Sequence, residues 1–291
     1  MKGNGLGIAY ISTFNFLAKK FLKWSMITAL CTEGYMCASD YAAINNNYIK
    51  EYDACLEKAV KDEERFFNIK FKQKPELFIG FNKARSALMK NDEKRDDYDK
   101  FNVLEKMIFM TVNYISTTSF VVSFNESISY FLNLPTLEGF AIDNGIYFGP
   151  FKAKQDERLT MLHEIMHVYI HQKNPEFLSP FSKATPDEIK FVRMAANEGL
   201  ATYAAITMGK AENDLKAYSL ESYLNQLYTS CPHEGYGLKN KLCQYAIGYN
   251  FVKKALKLIG DKKAVKIIIQ NPPTMPTEIL EPDVYVKMLD L

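Results

Sequence analysis

The chain has 291 residues, 47% of them hydrophobic and 24% charged, with a formal net charge of +2 at pH 7. That is enough apolar material to bury one large core or two lobes, while the basic residues are scattered and their excess is small, which argues against a nucleic-acid partner. No apolar run reaches the length needed to cross a bilayer, so no transmembrane segment is expected.

Residues 1–42 admit two readings. Lys19, Lys20 and Lys23 precede an apolar run from Trp24 to Cys31, and Cys37-Ala-Ser39 behind it has the small residues of a cleavage site, the pattern of a secretory leader. The long stretch before the lysines, and Glu33 close behind a short apolar core, suit equally well a helix packed on the rest of the protein. Export and a cytoplasmic location stand even. The five cysteines, Cys31, Cys37, Cys55, Cys231 and Cys243, have no zinc-ligand spacing, and an odd number argues against a complete disulfide framework unless a cleavage removes the first two.

From 43 to 150 the pattern reads as an α/β lobe. A helix runs from Tyr48 to Phe67 and is capped by Asn68. Strand-like runs follow at Leu77 to Phe81, Phe120 to Phe124 and Phe140 to Ile142, with the charged stretch Lys90 to Lys100 between them as a solvated loop. Gly145 to Gly149, alternating and closed by Pro150, suits an edge strand that could accept an extended peptide by backbone pairing.

From 151 to 291 the pattern is helical. Met161, Leu162, Ile165, Met166 and Ile170 form an apolar stripe at helical spacing, with acidic residues in the first turn and Asn174-Pro175 to end it. On that helix stand His163, Glu164 and His167 in the order H-E-x-x-H, and with His171 the segment holds three of the chain's four histidines. Two imidazoles four residues apart sit one above the other and can reach a single ion, while the glutamate at the edge of that face can take a proton from a water held there.

A hydrolytic zinc centre needs a third protein ligand. His171 lies about 12 Å along the axis from His163, too far to share its ion. It reads as a helix-end residue. Glu198, in the small-residue helix Ala195 to Ala205, can approach closely and aim a carboxylate across. Glu198 is the expected third ligand. His233 and Glu234 sit in a loop and are poorly placed for ligation. Further helices are expected at Tyr218 to Thr229, Tyr245 to Ile259 and Lys262 to Gln270.

His163-Glu-Ile-Met-His167 followed by Asn197-Glu-Gly-Leu-Ala201 resembles the gluzincin clan of zinc metallopeptidases, in which the glutamate of the second element completes the metal site. Tyr245-Ala-Ile-Gly248 is similar to the Y-x-x-G element of the aminopeptidase-type and peptidase-MA-like members, whose tyrosine hydroxyl steadies the oxyanion. By that likeness Tyr245 takes this role, with Tyr249 in reserve and His233 as the other candidate. The resemblance spans residues 139 to 285, with two departures. An inserted loop, Asn174 to Asp187, separates His167 from Glu198, and the G-x-M-E-N strand that reads a free substrate amine is replaced by Ile142-Asp-Asn-Gly-Ile-Tyr-Phe-Gly-Pro150.

The expectation is therefore an α+β, zincin-like protein of two lobes: a mixed sheet with helices in the upper lobe, helices in the lower, and the cleft between them. One zinc ion per chain would be held by His163, His167 and Glu198, with Glu164 as general base and a peptide or protein as substrate. The alternatives are a non-catalytic protein that uses the same fold to bind a peptide or partner, which has no need of Glu164, and a zinc hydrolase of non-peptide substrates, which only substrate profiling separates from a peptidase.

Overall fold

The computed structural model of the chain describes residues 48–79, 86–87, 139–148, 157–177, 187–232, 240–260 and 264–290. The expected strand Phe120 to Phe124, the charged run Lys90 to Lys100, residues 1–42, and His233 and Glu234 lie outside them. The described part is mostly helical with one three-stranded mixed sheet. Among the described residues, no helix is long and apolar enough to cross a membrane.

Helix α1 (Tyr48–Phe67) ends at Asn68, whose φ of 50° is the left-handed conformation that stops a helix and that asparagine tolerates. Strand β1 (Glu76–Ile79) follows, then the hairpin of β2 (Gly139–Ile142) and β3 (Gly145–Phe148). The strand order is β1-β3-β2, with β1 parallel and β2 antiparallel to β3. This corrects the expectation that Gly145 onward forms an edge. β3 uses both of its backbone sides, and Ile146 and Phe148 are wholly buried beneath it. Alternation reports which faces of a strand are wet but carries no information about its neighbours. On the opposite face Phe78, Tyr147 and Phe140 stack in register across all three strands, with centroids 4.9 and 5.0 Å apart.

Helix α2 (Glu157–Lys173) lies against the sheet, with Met161, Leu162, Ile165, Met166 and Ile170 all buried. Gln172 in its last turn fastens it there. The Gln172 amide donates to Gln73 O at 2.7 Å and Asn144 Oδ1 at 2.6 Å, and its Oε1 accepts from Lys72 N at 2.7 Å. At the other end of α2, Arg158 joins Asp62 of α1 at 2.8 Å and Glu212 at 2.6 Å. Beside it Glu63 is fully buried, and burial pushes its carboxyl well above the ordinary range against the pull of Arg158. A 3-10 turn (Pro175–Phe177) ends the segment.

Helix α3 (Asp187–Ala211) carries the small-residue run, longer at both ends than the sequence pattern indicates. Helix α4 (Leu215–Ser230) is capped by Asp214, and α5 (Lys241–Ile259) by Asn240, whose side chain accepts from Leu242 N and Cys243 N. A disulfide between Cys231 and Cys243 joins the end of α4 to the start of α5. Helix α6 (Ala264–Gln270) is followed by two short helices that the sequence reading did not foresee, α7 (Pro276–Leu280) and α8 (Pro282–Met288), each opened by a proline at its first turn.

Two features of the helical part have measurable consequences. Helices α3 and α5 cross with their backbones in contact: a Cβ on Gly199 would stand 2.6 Å from the Cα of Gly248, and one on Gly248 would overlap the carbonyl of Ala195. Gly248→Ala should therefore destabilise the protein by about 3 kcal/mol, although alanine is the better helix former by about 1 kcal/mol. The check is the urea midpoint, and an unchanged midpoint would sink the close approach. The second feature is Glu221 on α4, which receives Lys210 at 2.5 Å, Lys253 at 2.7 Å and the Tyr249 hydroxyl at 2.5 Å. Partial burial opposes its charge, but these bonds prevail and hold its carboxyl at about 2 instead of 4.5. A depressed folded value contributes stability above the ordinary carboxyl range, and that stability is lost as pH falls from 4.5 towards 2. Glu221→Gln should cost roughly 2 kcal/mol at pH 7 after allowance for solvent screening, with the two proteins converging in stability as the pH nears 2.

Candidate metal centre

The i, i+4 spacing on α2 brings the imidazoles of His163 and His167 together, with Nε2 atoms 3.0 Å apart. From α3, Glu198 Oε2 reaches 3.2 Å from His163 Nε2 and 3.5 Å from His167 Nε2. Four ligands set tetrahedrally at zinc distances of about 2.0–2.1 Å stand about 3.3 Å from one another. The three atoms thus already have the spacing of one face of such a tetrahedron. All three side chains are largely buried, at 15%, 11% and 15% exposure for His163, His167 and Glu198.

Protonation strengthens the fit. Asn197 Oδ1 lies 3.1 Å from His167 Nδ1. A carbonyl oxygen only accepts, so that nitrogen carries the proton and, in the neutral ring, Nε2 turns its lone pair inward. Thr202 Oγ1 stands 3.5 Å from Nδ1 of His163. The inward-facing set is rich in electron pairs and calls for a cation. Burial works against a charged His167, but Glu198 overrides it and raises that imidazole to about 8. Burial likewise opposes the charge of Glu198, and the hydrogen bonds and charges of His163 and His167 reverse this, holding its carboxyl well below the ordinary range.

Glu164, one residue along the helix, is treated differently. It is 6% exposed, and burial raises its carboxyl even though the two imidazoles pull the other way. Two neighbouring carboxyls are thereby shifted in opposite directions, Glu198 down and Glu164 up. Tyr245 on α5 is half-buried with its ring centroid 5.9 Å from that of His163. His163, Glu164, Thr202 and Tyr245 all line one cavity of about 440 Å³, to which Gly139 of β2 also contributes.

The other sequence candidates fall elsewhere. Tyr249 is 2% exposed and donates its hydroxyl to Glu221, so it is committed to holding α4. Nε2 of His171 lies 3.5 Å from Asp143 in the hairpin turn. His233 lies outside the described residues. Sequence reasoning missed Asn197 and Thr202. The available signal was position: Asn197 precedes Glu198, and Thr202 follows it by four on the same helical face.

Compared with protein-family models, curated proteins and solved structures, the chain matches none. The chemistry therefore rests on the geometry. If Asn197 sets the tautomer and direction of His167, Asn197→Ala should weaken zinc affinity about 10- to 100-fold with little change in fold. Competition against a chelator of known affinity measures this, and an unaltered affinity would remove Asn197 from the centre.

Proposed function

We propose that the protein is a zinc-dependent metallopeptidase of the gluzincin type, with one zinc ion held by His163, His167 and Glu198. The observation that carries this reading is the spacing of Nε2, Nε2 and Oε2 at 3.0, 3.2 and 3.5 Å beside a buried carboxyl of raised proton affinity. When bound, zinc would supply a Lewis acid that polarises the scissile carbonyl and acidifies a water in the open position.

The chain's own residues do the rest. Glu164 takes the proton of the attacking water and hands it to the amine as the carbon–nitrogen bond breaks, a role suited by its raised proton affinity. Tyr245 donates its hydroxyl proton in a hydrogen bond to the carbonyl oxygen as negative charge grows there. Since β3 is the central strand, an extended substrate would pair instead along β2. Among the described residues, β2 is hydrogen-bonded on one side only, and Gly139 at its start borders the cavity. The helical and mixed-sheet composition is compatible with a zincin-like α+β architecture.

Elemental analysis after identical dialysis should find about one zinc per chain in the wild type and a clear loss in Glu198→Ala. Glu164→Gln should keep its zinc and lose about 10²- to 10⁴-fold in kcat/KM on a peptide mixture. Zinc absent from the wild type would refute the centre. Undiminished turnover in Glu164→Gln would refute the mechanism alone.

A further inference from the structure

The reaction uses only part of the cavity wall. Much of the remainder is Leu159 of α2, Ala205 of α3, Leu220, Leu224 and Leu227 of α4, and Leu242 of α5. Leu220, Leu224 and Leu227 follow the i, i+4, i+7 repeat, so α4 turns a continuous aliphatic face to this space. Leu242 remains 55% exposed, and Tyr223, also in the wall, 50%. Leaving such carbon surface wet costs about 25 cal/mol for each Å² that a tighter fold could have covered.

We infer that this wall is a specificity pocket for one bulky aliphatic or aromatic side chain on a residue flanking the scissile bond. The inference rests on the peptidase reading and adds the substrate class to it. Continuity with the reacting groups identifies the occupant. His163, Glu164 and Tyr245 border the same cavity, and in a peptide a side chain is separated from the adjoining carbonyl carbon by its Cα alone. A group that fills the space while its carbonyl meets the centre is therefore a neighbouring side chain. The volume, about 440 Å³, lies at the small end of ligand pockets and suits one large side chain with its adjoining backbone. Lys216, at the start of α4, also borders the cavity, but the aliphatic side chains make up most of this wall, and carbon surface of that kind gives a cationic side chain nothing to pair with.

The test uses hydroxamates, which chelate zinc and carry a chosen tail, so binding is read without turnover. On the zinc-loaded full chain, 4-methylpentanohydroxamate should bind about 10- to 100-fold more tightly than acetohydroxamate, the range expected for burying a leucine-sized group. The cationic 6-aminohexanohydroxamate should gain nothing over acetohydroxamate. Leu220→Gln and Leu242→Gln should each lower the aliphatic preference at least about threefold while retaining zinc, and Leu242, being exposed, serves if Leu220→Gln fails to fold. Cleavage mapping on a peptide mixture should place Leu, Met, Phe or Tyr beside the cut bonds. Equal affinity for the two neutral hydroxamates with zinc bound would overturn the pocket and leave the centre standing. A chain that holds no zinc would overturn the centre, and the pocket with it.

Discussion

The contact on which the site depends is the crossing of α3 and α5 at Gly199 and Gly248, where each glycine occupies space that a Cβ would need. Gly199 follows Glu198 directly, and Gly248 lies one helical turn beyond Tyr245. The point of closest approach is thus adjacent to a proposed metal ligand on one helix and to a candidate hydrogen-bond donor on the other. A side chain at either position would move the helices apart by a good part of an ångström. Metal ligation tolerates deviations of only about 0.2 Å in its bonds, so for the proposed metal site the crossing constrains ligation as well as packing. Two glycines in the middle of helices, each weakening the local helix, are consistent with that demand.

The second constraint is electrostatic. A buried carboxylate among imidazoles that turn lone pairs inward is unfavourable unless something positive joins it. A proton on His167 meets the demand in part, as its raised affinity indicates. A divalent ion, as proposed, would meet it more fully, because it can accept all three electron pairs at once at spacings the side chains already have. On that proposal Asn197 and Thr202 would hold the rings, so that little reorganisation accompanies binding.

Much of this was legible in the sequence, for identifiable reasons. The H-E-x-x-H spacing is read directly because the helical repeat maps i, i+4 onto one face, and the alanine-rich surroundings of Glu198 announced a helix able to come close. Gly199 and Gly248 stand within the two motifs, but their mutual contact is invisible in the sequence, since a glycine in a helix reads locally only as a loss of propensity. The place of β3 was misread because alternation shows burial and not neighbours. The two terminal helices were missed because their prolines at first turns look like loop punctuation when so few residues follow. The pairing of Cys231 with Cys243 could not be told from an odd cysteine count, which says nothing about which residues the fold brings together.

Much of the cavity wall belongs to α4, and the way that helix is held bears on the shape of the cavity. Asp214 caps its first turn. Near its middle Glu221 takes Lys210 of α3 and both Tyr249 and Lys253 of α5. At its end the disulfide ties Cys231 to Cys243, beside Leu242 of the cavity wall. Ties at its beginning, middle and end restrain α4 against sliding or tilting. A wall of that kind discriminates by shape and polarity with little ordering cost on binding, because its entropy was lost on folding. If the cavity takes a peptide as proposed, the charged cluster at Glu221 would contribute by steadying the helix that carries much of the aliphatic wall.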